Sequence, residues 1–126
     1  MFNVSKDQML VMEQARQEED FQELMAEFVE YYEELDHQPM LIDDKPVSLE
    51  YFLRTCFVKA NKLNFQILQC YLDFMLLNYV HGWEFWLQEP YLWADKILHS
   101  DQLDETRIEL IAKRINQELL QQLWRS

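Results

Sequence analysis

Residues 64 to 82, NFQILQCYLDFMLLNYVHG, are apolar on nearly every helical face and close on the only glycine of the 126-residue chain. Leu68, Tyr71, Leu72, Met75 and Tyr79 follow the three-to-four spacing of one helical stripe, while Phe65, Ile67, Cys70, Phe74, Leu76, Leu77 and Val80 fill much of the other side. A helix without a broad solvated face must be covered, so this one is expected at the centre. Asn64 is expected to cap its start and Gly82 to end it in a left-handed turn. Gln66, Gln69, Asp73 and Asn78 interrupt the apolar run, which argues against a bilayer span.

One Gly and three Pro leave few of the turns a sheet needs, and 49% hydrophobic with 14% aromatic residues excludes global disorder. The expected fold is therefore all-α: a single domain, residues 1–126, of about five helices around the 64–82 helix. On its N-terminal side, Ser48 should cap a helix running to Leu63, with Leu49, Phe52, Leu53, Cys56, Phe57 and Ala60 inward and Arg54, Lys59 and Lys62 outward. Before it, residues 37–47 contain Pro39, Pro46 and Asp43-Asp44 and read as a linker whose Met40-Leu41-Ile42 tucks against the core. Ser5 with Gln8 has the form of a capping box, so the first helix should begin near Lys6 and present Phe21, Leu24, Met25, Phe28, Tyr32 and Leu35 on one stripe.

Beyond Gly82, the stretch WEFWLQEPYLW (83–93) is crowded with aromatic side chains, too many to point one way. Trp93, Ile97 and Leu92 should pack inward, and Pro90 suits the first turn of a short helix ending near His99. Trp83, Phe85, Trp86 and Tyr91 either lid the bundle or form an exposed patch for a partner. Asp101 or Asp104 should cap a last helix with Ile108, Ile111, Ala112, Ile115, Leu119 and Leu123 on its stripe.

Net charge is −12, from 23 acids and 11 bases. Residues 6–36 hold eleven of the acids against Lys6 and Arg16, a balance of −9, which leaves −3 for the rest. Such a charge repels nucleic acid and anionic membrane surfaces. Like charges at i and i+4 weaken a helix, so Glu19, Glu23 and Glu27 in succession are not there to stabilise it, and Glu30 and Glu34 join them as candidate partner-binding acids. They read either as a solvated face or as an acidic docking surface for a basic partner. The opening MFNVSKDQML lacks an apolar run behind a basic flank, so no secretory signal is expected and the chain should stay in the cytoplasm.

Catalytic signatures are missing: no glycine-rich phosphate loop, no nucleophile elbow, no H-E-x-x-H. Glu34-x-x-His37 has the spacing of a di-iron ligand pair but lacks the second pair and further acids such a site needs, and His81 with Glu84 is reversed across a helix end. His99 suits a helix C-terminus. Cys56 and Cys70 are expected as free buried thiols. Asp73, within the most apolar helix, would need a partner if buried, such as Arg54, Lys59 or a tyrosine hydroxyl. Neither cofactor nor metal is expected.

The opening MFNVSKDQMLVMEQAR, Phe21 with its long helix and following proline, the helix around Ala60, and above all GWEFWLQEPYLWADKIL followed by DQLDETRIELI make the chain resemble a family of small helical proteins encoded beside type VI secretion effectors in Gram-negative bacteria. It departs from that pattern at Lys62-Leu63-Asn64, where a glycine is expected after Ala60. The resemblance implies a role beside a toxic effector, as immunity protein or as loading accessory, and implies no catalytic residues. The expectation is a non-enzymatic binding module whose acidic helix and exposed aromatics engage a basic secreted effector. The alternatives are an assembly module that homodimerises through the aromatic patch, and a small-ligand or metal-dependent enzyme within the bundle.

Overall fold

A computed structural model describes residues 6–34 and 39–125 and is all-α apart from one small hairpin. The chain divides into two compact units, residues 1–38 and 39–126. Unit 1 is helix α1, Lys6–Glu34. Phe21, Leu24 and Phe28 are its buried residues; Met25 and Tyr32, on the same stripe, are half-buried. Ser5, Leu35 and His37, invoked above for a cap, the stripe and a metal pair, lie outside the described residues.

Unit 2 opens with an antiparallel hairpin, β1 Leu41–Ile42 and β2 Lys45–Pro46, in place of the expected linker. Asp43 and Asp44 both take positive φ, 52° and 61°. That is the pair of conformations a two-residue type I′ turn requires, and aspartate tolerates it better than most residues. Leu41 is 43% exposed, so only its neighbours Met40 and Ile42 tuck in. Helix α2, Leu49–Lys62, follows, with the Ser48 hydroxyl accepting from the Tyr51 N–H at 3.2 Å as expected. It buries Phe52, Leu53, Cys56, Phe57 and Ala60, while Leu49 is only half-buried.

The central helix α3 is shorter than the sequence suggests, Leu68–His81. Asn64 does not cap it. At φ 62° it ends α2 instead, with Asn64 N–H bonded to Asn61 O and Phe65 N–H to Ala60 O, the two bonds of a Schellman motif. A left-handed residue suits the position after a helix better than the extended conformation of an N-cap. Gly82 ends α3 as expected and donates its N–H to Asn78 O at 2.9 Å, but at φ 103° and ψ 151° its backbone is extended and not the left-handed turn foreseen.

The chain then passes through a single 3-10 turn, Phe85–Leu87, to helices α4, Trp93–Leu98, and α5, Asp104–Arg125. Pro90 lies in the turn before α4 rather than in its first turn. Within unit 2, α3 packs against both α2 and α5, and α4 packs against α5. Cys70, Tyr71, Leu72, Phe74, Met75, Asn78 and Tyr79 of α3 are all buried, which is the central placement its composition demands. Among the described residues no helix is long and apolar enough to cross a membrane.

Candidate functional site

Glu19, Glu23, Glu27, Glu30 and Glu34 are all exposed on α1. At about 100° per residue they fall within about 80° of arc, a single stripe about 22 Å long. The stripe lies opposite the buried Phe21, Leu24 and Phe28, so the residues that need burial leave the carboxylates to solvent. None of the five has a salt bridge among the described residues. The nearest cation on the helix, Arg16, is held by Glu13 at 2.6 Å. Four consecutive pairs of the stripe sit at i+3 or i+4, where like charges oppose helix formation.

The aromatic half of the expected site is largely dissolved. Phe85 and Trp86 are 0% and 1% exposed, so they are core residues and not surface anchors. Trp86 stacks on Phe74 at 5.6 Å and meets Phe85 edge-on at 5.3 Å; Phe85 meets Tyr91 edge-on at 5.8 Å. Spacing could not separate these rings from their neighbours, because the chain here is a 3-10 turn and loop with no helical period. Trp83 and Tyr91 remain half-exposed. Trp83 stands between two depressions of unit 2, one of about 270 Å³ with Arg54, Lys59 and Lys62 on its wall, the other of about 380 Å³ with Asp43, Asp44 and Glu84. Tyr91 packs on the His81 ring at 4.9 Å.

A third depression, of about 340 Å³, lies between α3 and α5 and is lined by Asp73, Leu76, Leu77, Val80, His81, Ile108 and Ala112. Asp73 is half-exposed there, so the need for a cationic or tyrosine partner that burial would create does not arise, and it accepts from Gln69 Nε2 at 3.0 Å. Asp73 and His81 are two turns apart, about 12 Å along the axis, too far to work as an acid–base pair on one bond. Burial beside Phe85 and Tyr91 holds the His81 imidazole below its ordinary value, so it favours the neutral ring. No group of three His, Cys, Asp or Glu among the described residues is placed to hold a metal ion.

Both thiols are buried and free. Burial, reinforced by the charges of Asp104, Asp73 and Glu105, pushes Cys70 up to about 11, and burial pushes Cys56 up as well. Neither supplies a thiolate at neutral pH.

Three buried polar residues, Asp104, Arg107 and Asn78, hold this scaffold in register, in roles that spacing alone did not assign to them. Asp104 Oδ2 accepts the N–H groups of Gln66 at 2.7 Å and Ile67 at 2.8 Å, so the first residue of α5 caps the approach to α3. Ile67 stands at the N-cap of α3 and has no side chain able to do so. Burial pushes the Asp104 carboxyl up, but the N–H groups of Ile67, Gln66 and Glu105 and the charge of Arg107 outweigh it and hold it below the usual value. Arg107 in turn donates to Leu98 O at 2.7 Å and lies over the Phe65 ring at 4.9 Å. Asn78, fully buried, donates to Phe74 O and accepts from Glu84 N–H, fixing the turn after α3.

Comparison with protein-family models, with characterised proteins and with solved structures yields no match to this chain.

Proposed function

We propose that this protein is a non-enzymatic binding module that docks a basic protein along the carboxylate stripe of α1. One observation supports the reading: five carboxylates on one exposed face, without cation partners among the described residues, on a helix they themselves destabilise. A face that weakens its own helix yet concentrates charge is useful toward an external cation. The partner class that fits is a basic secreted antibacterial effector, with this chain as its immunity protein or loading accessory. The carboxylates would steer encounter and set its salt dependence, and occlusion of the partner's surface would follow from docking. Trp83 and Tyr91 are the aromatic residues left for a separate, desolvated contact.

The test is parallel capture from the native host with the wild-type chain and with Glu23→Gln/Glu27→Gln/Glu30→Gln as bait. A partner held by the wild type at low salt should be lost at about 0.5 M salt, where screening acts within about 4 Å. The triple variant should associate at least about tenfold more slowly. Equal capture by both baits would sink the electrostatic reading.

A further inference from the structure

We propose that two copies of this chain pair face to face about a two-fold axis beside Trp83, so that the basic depression of each copy meets the acidic depression of the other. Trp83 lines both depressions, and the residues around it fall into two halves of opposite sign. On one side stand Lys59 and Lys62, in the last turn of α2; on the other stand Asp43 and Asp44 of the hairpin turn and Glu84 after α3. None of these five has an ion pair among the described residues, and Lys59 Nζ lies over the Trp86 ring at 5.9 Å. Arg54, on the same wall as the lysines, is within 3.6 Å of Glu50, and the pairing does not depend on it. Exposed apolar side chains accompany both halves: Tyr51 (58%) and Val58 (46%) beside the lysines, Leu41 (43%) and Leu87 (54%) beside the acids.

Self-complementarity selects a second copy as the occupant. A two-fold axis sets a surface against its own rotated image, so a face of one sign meets like charge, whereas a face split into opposite halves meets its complement. A half-turn about an axis at Trp83 lays Lys59 and Lys62 of one copy on Asp43, Asp44 and Glu84 of the other, and does so twice. Trp83 then meets its counterpart at the axis, with Tyr51 and Val58 opposite Leu41 and Leu87. The result is an aromatic and aliphatic centre within a charged rim. A foreign partner would have to carry both signs in that same order; the chain itself already does. These apolar and charged side chains offer on the order of 700 Å² per copy, so a pair buries about 1,400 Å², within the range of specific interfaces. The net charge of −12 on each copy opposes approach, but at physiological salt screening confines that repulsion to about 8 Å, while the opposed charges of the seam act at contact. Reversible association in about the micromolar range follows, closed at two copies.

Sedimentation equilibrium of the full chain from about 1 to about 100 µM, at about 0.15 M salt, tests the proposal. The wild type should show a monomer–dimer equilibrium. Lys59→Glu/Lys62→Glu makes both halves acidic and Asp44→Lys/Glu84→Lys makes both basic, so each variant alone should self-associate at least about tenfold more weakly. Mixed in equal amounts, the two should form a heterodimer of about wild-type strength, because each half again faces its opposite. Both variants keep a net negative charge, so overall attraction cannot produce that rescue. Should Asp44→Lys disturb the left-handed turn, Asp43→Asn/Asp44→Asn keeps residues suited to positive φ and should still weaken the dimer about threefold or more. Trp83→Gln should weaken it at least about tenfold. Trp124→Gln, at an 88% exposed ring of α5, and Glu23→Gln/Glu27→Gln/Glu30→Gln on α1 should leave it intact, which keeps this association distinguishable from docking along α1. A wild type that stays monomeric throughout, or a dimer that survives the substitutions around Trp83, overturns the assignment. So does a mixture of the two charge-reversed variants that stays monomeric although each retains the far-UV circular dichroism of the wild type.

Discussion

At Asp104 one carboxylate joins the starts of two helices, and its environment shows how a buried charge becomes useful. Its oxygens receive three backbone N–H groups, two of them from the approach to α3, and Arg107 lies one turn away. Asp104→Ala should destabilise the chain by about 3 kcal/mol in urea unfolding, since charge-assisted bonds are lost and the N–H groups of Gln66 and Ile67 are left without their acceptor. Asp104→Asn should cost less, because one acceptor oxygen remains. Holding the carboxyl below the ordinary aspartate value of 3.8 means that its stabilisation is present above that value and is lost as pH falls through the lower folded one. Asn78 plays a comparable part with no charge, its amide satisfied on both sides inside the most apolar helix.

Among the elements, α1 is the one whose surface works against its own stability. Glu23→Gln/Glu27→Gln/Glu30→Gln removes all four like-charge pairs of the stripe, each costing a few tenths of a kcal/mol, so the unfolding free energy should rise by about 1 kcal/mol at low salt, read from the denaturant midpoint. The same variant is expected to lose its partner, which separates a docking role from mere solvation: stability and binding must move in opposite directions. Helices α2 and α3 show the reverse economy of charge. Their junction is closed by backbone bonds at Asn64 and Phe65 and by the Tyr71 hydroxyl, which lies 2.6 Å from Asn61 Oδ1 and 2.9 Å from Phe65 O.

For the molecule as a whole, acidification should be destabilising, and His81 marks where it begins. Its imidazole is held below 6.5 by burial, so the unfolded chain binds its proton more readily. The stability associated with the neutral ring is complete above 6.5 and is lost as pH falls below that value. Denaturant midpoints at about pH 7.5 and 5.5 should therefore drop for the wild type and change less for His81→Phe, which keeps an aromatic ring beside Phe85 and Tyr91. A drop of equal size in both chains would assign the pH response elsewhere.

Periodicity and composition by themselves determined the helical class, the Ser48 cap, the burial of the α3 stripe, the stop at Gly82 and the acidic stripe on α1. Those features depend on residues within one or two turns of each other, where spacing dictates which face a side chain occupies. The Asp43-Asp44 turn was readable only as a break, because its hairpin rests on left-handed backbone that a chain without glycine there does not advertise. Tertiary structure alone decided the rest. Which aromatic rings between 83 and 93 are core was set by packing of Phe85 and Trp86 against Phe74 and Tyr91, in a segment with no regular period. That Asp104 caps α3, 37 residues away, is a long-range bond that no local pattern encodes. How far the apolar line of α5 is covered depends on where the rest of the fold ends: Ile115 is 7% exposed and Leu119 52%.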